Sequence, residues 1–504
     1  MRPLIEIVAQ GRLVEAHRPW PRVVVNPDAW SAVADELAAG NATLLSLWGD
    51  TNASCTVHMA ILERDTNDIG VVSLECSNGT FPSVGARHPA AIRQERALHS
   101  LHGLRPVGAR DTRPWLDLGF WGVQYPLGAC RTASAAPSAY EFLPAEGESL
   151  HQSPVGPVHA GIIEPGHFRF TASGETVVRL EQRLGYVHKG VESLLAGAPI
   201  ERAARLAART SGDSTVAYGI AFAHAVEAAA AVEAPPRARY LRALMAELER
   251  LANHFGDIGA ICNDASFSLM HAHCGILREQ VLRAAEACFG HRLMMDRVVP
   301  GGVTHDLGPE GAGRLREALR QIRQRFPRLV ELYDNTASLQ DRTVGTGFVA
   351  ADLARRFGAS GFVGRTSGRD FDARKTPGYA PYRELDFAVP VLTAGDVNAR
   401  VWIRIHEVEQ SLGLVDQLID RMPTGSIAAA VEGGSGEGLG FAEAFRGDVL
   451  AWVRLDGARV AGAHLRDPSW FQWPLLEAAI EGNIVADFPL CNKSFNCSYS
   501  GHDL

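Results

Sequence analysis

At 504 residues, with 46% apolar and 21% charged residues, the chain is too long for one ordinary domain and too apolar to be disordered. A net charge of −8 with no Lys/Arg block leaves no electrostatic footprint for nucleic acid. The eight cysteines form no CxxC pair, which speaks against a disulfide framework and for reduced usage.

The opening MRPLIEIVAQGR lacks the long apolar core of a signal peptide. NPDAWSAVADELAAG (26–40) has helical spacing, and Asn26 is placed to cap it. TLLSLWG (43–49), TVHMAILER (56–64) and GVVSLEC (70–76) read as strands, and 86–104 returns to helix, ending near Gly103. Small residues, Pro and Ser then dominate 129–157, which reads as a linker or long surface loop. The domain boundary falls there: 1–128 as one unit, 129–155 as linker, 156–504 as the second unit.

HFRFTA (167–172) and ETVVRLEQRLG (175–185) read as a hairpin turning at Ser173-Gly174. Helices are expected over roughly 188–231, 235–262, 268–289, 309–338 and 395–421. The most apolar stretch, 214–234, carries His224, Glu227 and Glu233 and is rich in alanine, so a buried helix fits better than a membrane span. A hairpin over 448–465 turns at Asp456-Gly457, and a short helix (473–480) and a strand (484–490) lead to the end.

Four local features could carry chemistry. GPVHAGIIEPGHFRF (156–170) packs His159, Glu164, His167 and Arg169 into a Gly/Pro-rich run; carboxylates in such loops can relay protons, but the run alone reads first as a structural loop. HAHC (271–274) offers zinc-type ligands, yet helical spacing splits His273 from His271 and Cys274. GGSGEGLG (433–440) does not match a dinucleotide fingerprint and reads as a flexible loop. CNKSFNCSYSGHDL (491–504) spaces Cys491 and Cys497 too widely for the usual metal pair, so packing cysteines are expected.

Taken in order, these segments resemble one family. GPVHAGIIEPGHFRF, GETVVRLEQRLGYVHKGVESLL (174–195), ELERLANHFGDIGAICNDASF (247–267), VPGGV (299–303), RTVGTGFV (342–349), 358–387 and EAFRGDV (443–449) look like the large subunits of group 4 nickel–iron hydrogenases and the 49-kDa subunit of complex I. Residues 81–104 and 111–120 resemble the 30-kDa subunit of complex I, and one chain carrying both is the layout of the formate hydrogenlyase and hydrogenase-4 subunits. The resemblance implies an α+β chain: a small α/β N-terminal domain, then a mainly α-helical domain with peripheral β-hairpins.

The family's metal ligands are the informative positions. An active hydrogenase carries R-x-C-G-x-C near the start of the large domain; the corresponding run here is RTSGDS, with Ser211 and Ser214 in place of the cysteines. The second motif, D-P-C-x-x-C, aligns with 496–501 and puts its cysteines on Ser498 and Gly501, with Cys497 one residue out of register. Hydroxyls do not replace thiolates at neutral pH, so the resemblance implies no nickel. The quinone-contacting tyrosine and histidine of complex I fall on Gly212 and near Pro165, so that pair is missing too.

What the resemblance leaves is Glu164 as a proton-passing carboxylate, Arg446 overhanging the site and Lys189 beside a partner's iron–sulfur cluster, with Asp213, Tyr218, Asp264 and His502 lining the old cavity. The implied partners are a small iron–sulfur subunit like the 20-kDa subunit of complex I, a ferredoxin-like subunit and antiporter-like membrane subunits. No cofactor is expected in the chain itself; a quinone is a candidate ligand. The expected place is the cytoplasmic side of the membrane, held through partners. The alternative is a non-catalytic scaffold coupling the membrane module to soluble partners.

Overall fold

The computed structural model describes residues 11–51, 54–134, 136–159 and 163–504. Residues 1–10, on which the signal-peptide reading rests, and 160–162, within the first Gly/Pro-rich run, lie outside the described residues.

The N-terminal unit is a five-stranded sheet, ordered Arg12–Leu13, Arg22–Val25, Ile69–Glu75, Thr56–Glu63, Ala42–Asp50. The helix Pro27–Ala39 lies against one face. Asn26 accepts from the Ala29 amide at 2.8 Å at its start, and Gly40 ends it with φ of 80°. Trp30, Val33 and Leu37 pack with Leu44, Met59, Ile61 and Val72. The second of the two sequence-read helices is shorter than expected, running Ile92–His102 after a single turn at Pro89–Ala91, because Pro89 resets the backbone.

The strands Ala42–Asp50 and Thr56–Glu63 are apolar almost throughout because both faces are covered. On the far face Leu45, Trp48, Ala60 and Leu62 meet Phe371, Leu439, Phe441, Leu450 and Trp452 of the second unit. Polar links frame this seam: Arg22 to Glu437 at 2.9 Å, Arg454 to Asp50 at 3.0 Å, and Ser46 to His464 at 2.8 Å, with His464 also on Glu192 at 2.7 Å. The strand His17–Arg18 adds itself, parallel, to the second unit's sheet at Glu437.

The second unit is built on the helices Thr215–Ala230, Pro236–Asp264, Ser268–Phe289, Pro309–Asn335 and Val397–Asp420. Its main sheet is formed by Glu437–Ala444, Gly447–Asp456 and Arg459–Arg466. The last two are the expected hairpin about Asp456-Gly457. The alanine-rich helix Thr215–Ala230 is buried along most of its length. Among the described residues, no helix is long and apolar enough to cross a membrane. All eight cysteines are free thiols.

Four expectations are corrected. The stretch 188–231 is not one helix but three, Val191–Leu195, Ile200–Ala208 and Thr215–Ala230; Gly197, with φ of 77°, and Pro199 break it first, and the turn Gly212–Ser214 breaks it again. The end of the linker is ordered: Leu150–Val155 pairs with His167–Ser173 and belongs to the second unit. The glycine-rich run is only partly loop, since Glu437–Ala444 is a buried strand. A Cβ at Gly438 or Gly440 would collide with the carbonyls of Ala225 or Ala221, so glycine is what lets helix and strand touch. Finally, 484–490 is helical: a turn at Val485–Asp487 opens the helix Phe488–Phe495, with Pro489 in its first turn.

Candidate functional site

Three chain segments far apart in sequence converge on one cavity. The first is the loop after the helix Ile200–Ala208, carrying Ser211, Gly212 and Asp213. The second is the tight turn between Glu437–Ala444 and Gly447–Asp456, where Gly447 takes φ of 136° and presents Arg446. The third is the C-terminus. Asn496, in the left-handed region at φ of 45°, ends the helix Phe488–Phe495 and turns Cys497 and Ser498 back toward the first loop. The cavity between them measures about 310 Å³ and is reached by Glu164, Asn492, Lys493 and Ser500 as well.

The four ligand-type positions meet here. Ser211 Oγ and Ser498 Oγ are 2.9 Å apart across 287 residues of sequence. The Gly501 amide donates to Ser498 Oγ at 2.9 Å, and Ser211 Oγ donates to Asp213 at 2.8 Å. The directions agree: amide to Ser498, Ser498 to Ser211, Ser211 to the Asp213 carboxylate. Arg446 grips that carboxylate with two nitrogens, one at 2.9 Å, and also contacts Ser214 Oγ at 3.3 Å. Burial alone would raise the pKa of Asp213; the Arg446 guanidinium outweighs it and holds the group below the usual carboxylate range.

A thiolate-held metal pair does not fit this donor set. Three positions offer hydroxyls already committed to hydrogen bonds, Ser211 and Ser498 to each other and Ser214 to Arg446 and Asp213, and the fourth has no side chain. A Cβ at Gly501 would lie 2.5 Å from Asp467 Oδ2, an atom held by the Tyr218 hydroxyl at 2.9 Å. Among the described residues there is no group of three or more His, Cys, Asp or Glu placed to hold a metal ion. Cys497 does line the cavity, but burial pushes its thiol far up, away from thiolate.

Glu164, Asp213 and Arg446 line the cavity. Glu164 is exposed and accepts from the Ser500 amide at 3.1 Å. Lys189 is exposed outside the cavity, donating to the Thr210 carbonyl at 3.2 Å, beside Ser211. Tyr218 does not reach the cavity: it is fully buried one layer behind, on Asp467. His502 is likewise buried, stacked on Trp470 at 4.1 Å and bonded to Asp503 at 2.8 Å, because the last helix turns it inward. Asp264 ends the helix Pro236–Asp264 and stands outside the lining. In the first Gly/Pro-rich run, His159 and His167 bond the Gly166 and Gly156 carbonyls, a structural use.

Several contributors were passed over in the sequence. Asn492, Lys493 and Asn496 reach the cavity from the end of the helix Phe488–Phe495, and nothing in their local pattern marks them as cavity lining. Glu249 is buried against a smaller void of about 80 Å³ that shares Gly212 and Asp213 with the main cavity. It accepts from the Val216 and Ala217 amides at 2.7 and 3.2 Å, and burial pushes its pKa to about 8 against that pull.

The chain is similar to several known proteins. The family described as respiratory-chain NADH dehydrogenase, 49 Kd subunit, matches residues 265–433. Formate hydrogenlyase subunit 5 of Escherichia coli (strain K12) is 32% identical over 447 residues, covering 86% of this chain and 78% of that protein. An NADH-quinone oxidoreductase subunit of Desulfotalea psychrophila is 31% identical, covering 68% of this chain and 93% of its own. Among solved structures, a chain of the membrane-bound sulfane sulfur reductase, an archaeal respiratory membrane complex, superposes with a TM-score of 0.67 at 26% identity, covering 71% of this chain and 99% of that one.

Proposed function

This chain belongs to the family that unites the formate hydrogenlyase and hydrogenase-4 large subunits with subunits of NADH-quinone oxidoreductase, and we propose that it is a peripheral-arm subunit whose cavity carries protons rather than nickel. Its relatives include a subunit of a membrane-bound hydrogenase of Pyrococcus furiosus and a chain of an archaeal respiratory membrane complex, which supports assembly with membrane and iron–sulfur subunits on the cytoplasmic side of the membrane. Residues 1–128 would serve as the 30-kDa-like domain and 156–504 as the 49-kDa-like domain, with the ordered strand Leu150–Val155 joining the latter.

The observation that carries this reading is the closed chain from the Gly501 amide through Ser498 and Ser211 to Asp213. The Ser498 and Ser211 hydroxyls are paired there without a metal, and each both accepts and donates, as a proton relay requires. Glu164 at the opening is the group that would exchange protons with it. The lining of serines, asparagines, Lys493, Asp213 and Glu164 favours water and protons over a quinone ring, whose binding calls for a largely apolar slot. Lys189, exposed beside the first loop, would face the small iron–sulfur subunit, where its charge raises the cluster's reduction potential. The scaffold alternative keeps the same docking and drops the proton traffic.

Isolation of the tagged full chain from membranes tests the assembly. The reading expects co-isolation of membrane subunits and of an iron–sulfur subunit with its paramagnetic signals. Recovery of the chain alone, under conditions that keep membrane complexes intact, contradicts it.

A further inference from the structure

A cleft of about 670 Å³ lies between the two units, and it shares no lining residue with the cavity above. The N-terminal unit contributes the end of the helix Pro27–Ala39, Arg64 and His88; the second unit contributes Arg355, Arg356 and Arg369. Arg64, Arg355 and Arg356 are exposed, and among the described residues none has an ion-pair partner. This is unlike Arg22, Arg454, Arg365 and Arg374, each of which sits on a carboxylate. Arg369 is oriented rather than free: it donates to the Ala359 carbonyl at 2.8 Å and lies over Phe371 at 4.4 Å.

Arginines at the end of a short helix, such as Arg355 and Arg356, ordinarily need no explanation. Two further facts set these apart. They line the same concave space as Arg64 from the other unit, so the packing of the units brings guanidiniums from both to one cleft. The approach is fixed by close contact: a Cβ at Gly358 would lie 2.8 Å from Thr43. In addition, His88 lines the cleft at 2% exposure, and its buried Nδ1 has no hydrogen-bond partner among the described residues. Burial, with Arg356 nearby, lowers its pKa to about 4, so near neutral pH it is an uncharged imidazole able to donate one hydrogen bond. Asp352 and Asp370 are exposed lining residues and also have no ion-pair partner among the described residues, leaving the four guanidiniums in excess.

We propose that this junction cleft binds a compact multivalent oxyanion, held by Arg64 from one unit, Arg355, Arg356 and Arg369 from the other, and His88. Guanidinium forks suit phosphate and carboxylate oxygens equally. Bound there, the anion would bridge the sheet unit and the helical unit. The site is independent of the proton-carrying cavity and stands or falls by itself.

Calorimetric titration of the full chain, in a chloride buffer free of phosphate, with pyrophosphate and separately with citrate, tests this. One saturable site for either anion is expected, with preference for one of them naming its class. Arg64→Ala and Arg356→Ala should each weaken binding about tenfold, with Lys at either position recovering part of it. Binding should also fall as salt rises. No saturable binding of either anion, or binding unchanged in the Arg64→Ala/Arg356→Ala double variant, overturns the proposal. These side chains are exposed, so folding of the variants is expected and is verified by an unchanged circular dichroism spectrum.

Discussion

Ser211 Oγ and Ser498 Oγ lie 2.9 Å apart, and through that contact the first loop of the helical unit and the C-terminal segment close on each other. Ser498 also caps the last helix, Tyr499–Asp503, through the Gly501 amide. Ser498→Ala removes both bonds. The expected cost is about 1 kcal/mol, the usual loss of a serine cap. Hydrogen exchange should show faster exchange at 499–504 with the rest of the chain unchanged. Equal protection in the variant would mean that the cap contributes nothing.

Gly501 has no room for a side chain. Gly501→Ala brings a Cβ against the Asp467 carboxylate, which is fixed by Tyr218 and by the Ser469 amide at 2.9 Å. Overpacking of this kind costs about 1–3 kcal/mol. Denaturant unfolding should report that loss, and a midpoint equal to wild type would contradict the packing described.

Arg446 holds Asp213 ionised. In Arg446→Met the carboxylate loses its counter-charge while its side chain, 38% exposed, keeps partial access to water. Solvent screening reduces the penalty below that of a fully buried pair, to about 1–3 kcal/mol. The sign of the pH effect follows from a depressed folded-state pKa: the contribution is present above the unfolded value of about 4 and is lost as pH falls through the lower folded value. Acid unfolding of wild type should show this limb, and the variant should lack it.

Glu249 works in the opposite direction. Its folded-state pKa is raised to about 8, so between about pH 4.5 and 8 the folded chain binds a proton that the unfolded chain has released. Stability should therefore decline as pH rises through that window, by up to about 1.4 kcal/mol per unit from this group. Glu249→Gln keeps an acceptor for the Val216 and Ala217 amides and should flatten the decline. An unchanged pH profile would show that Glu249 is ionised in the folded state.

Glu164 is exposed at the edge of the cavity, where the proposed relay would meet solvent. Glu164→Gln can still accept from the Ser500 amide, so assembly should be preserved. Proton-coupled turnover of the assembled complex should fall by about 10²-fold or more, the scale of a lost proton-transfer group. Wild-type turnover in this variant would remove the relay and leave the scaffold reading.

Much of this was legible from the residues. Asn26 and Gly40 marked a helix at both ends, and the three apolar runs after it were strands, because capping and burial are local signals. The ligand-type positions were legible only through ordered motifs, since nothing in local spacing brings Ser211 to Ser498. What the sequence hid was set by tertiary contact. Gly438 and Gly440 read as a loop until a helix is seen lying on them. Residues 484–490 carry an apolar pattern that serves strand or helix, and packing chose helix. Tyr218 and His502 stand near the cavity in sequence, yet their rings turn into the core, a choice fixed by Asp467, Asp503 and Trp470.

Metal analysis of the complex purified from cells grown with ample nickel, normalised to this chain, decides whether Ser211, Ser214, Ser498 and Gly501 surround a metal. Nickel should be no higher than in the buffer blank, alongside iron accounted for by the iron–sulfur partners. One nickel per chain would contradict it.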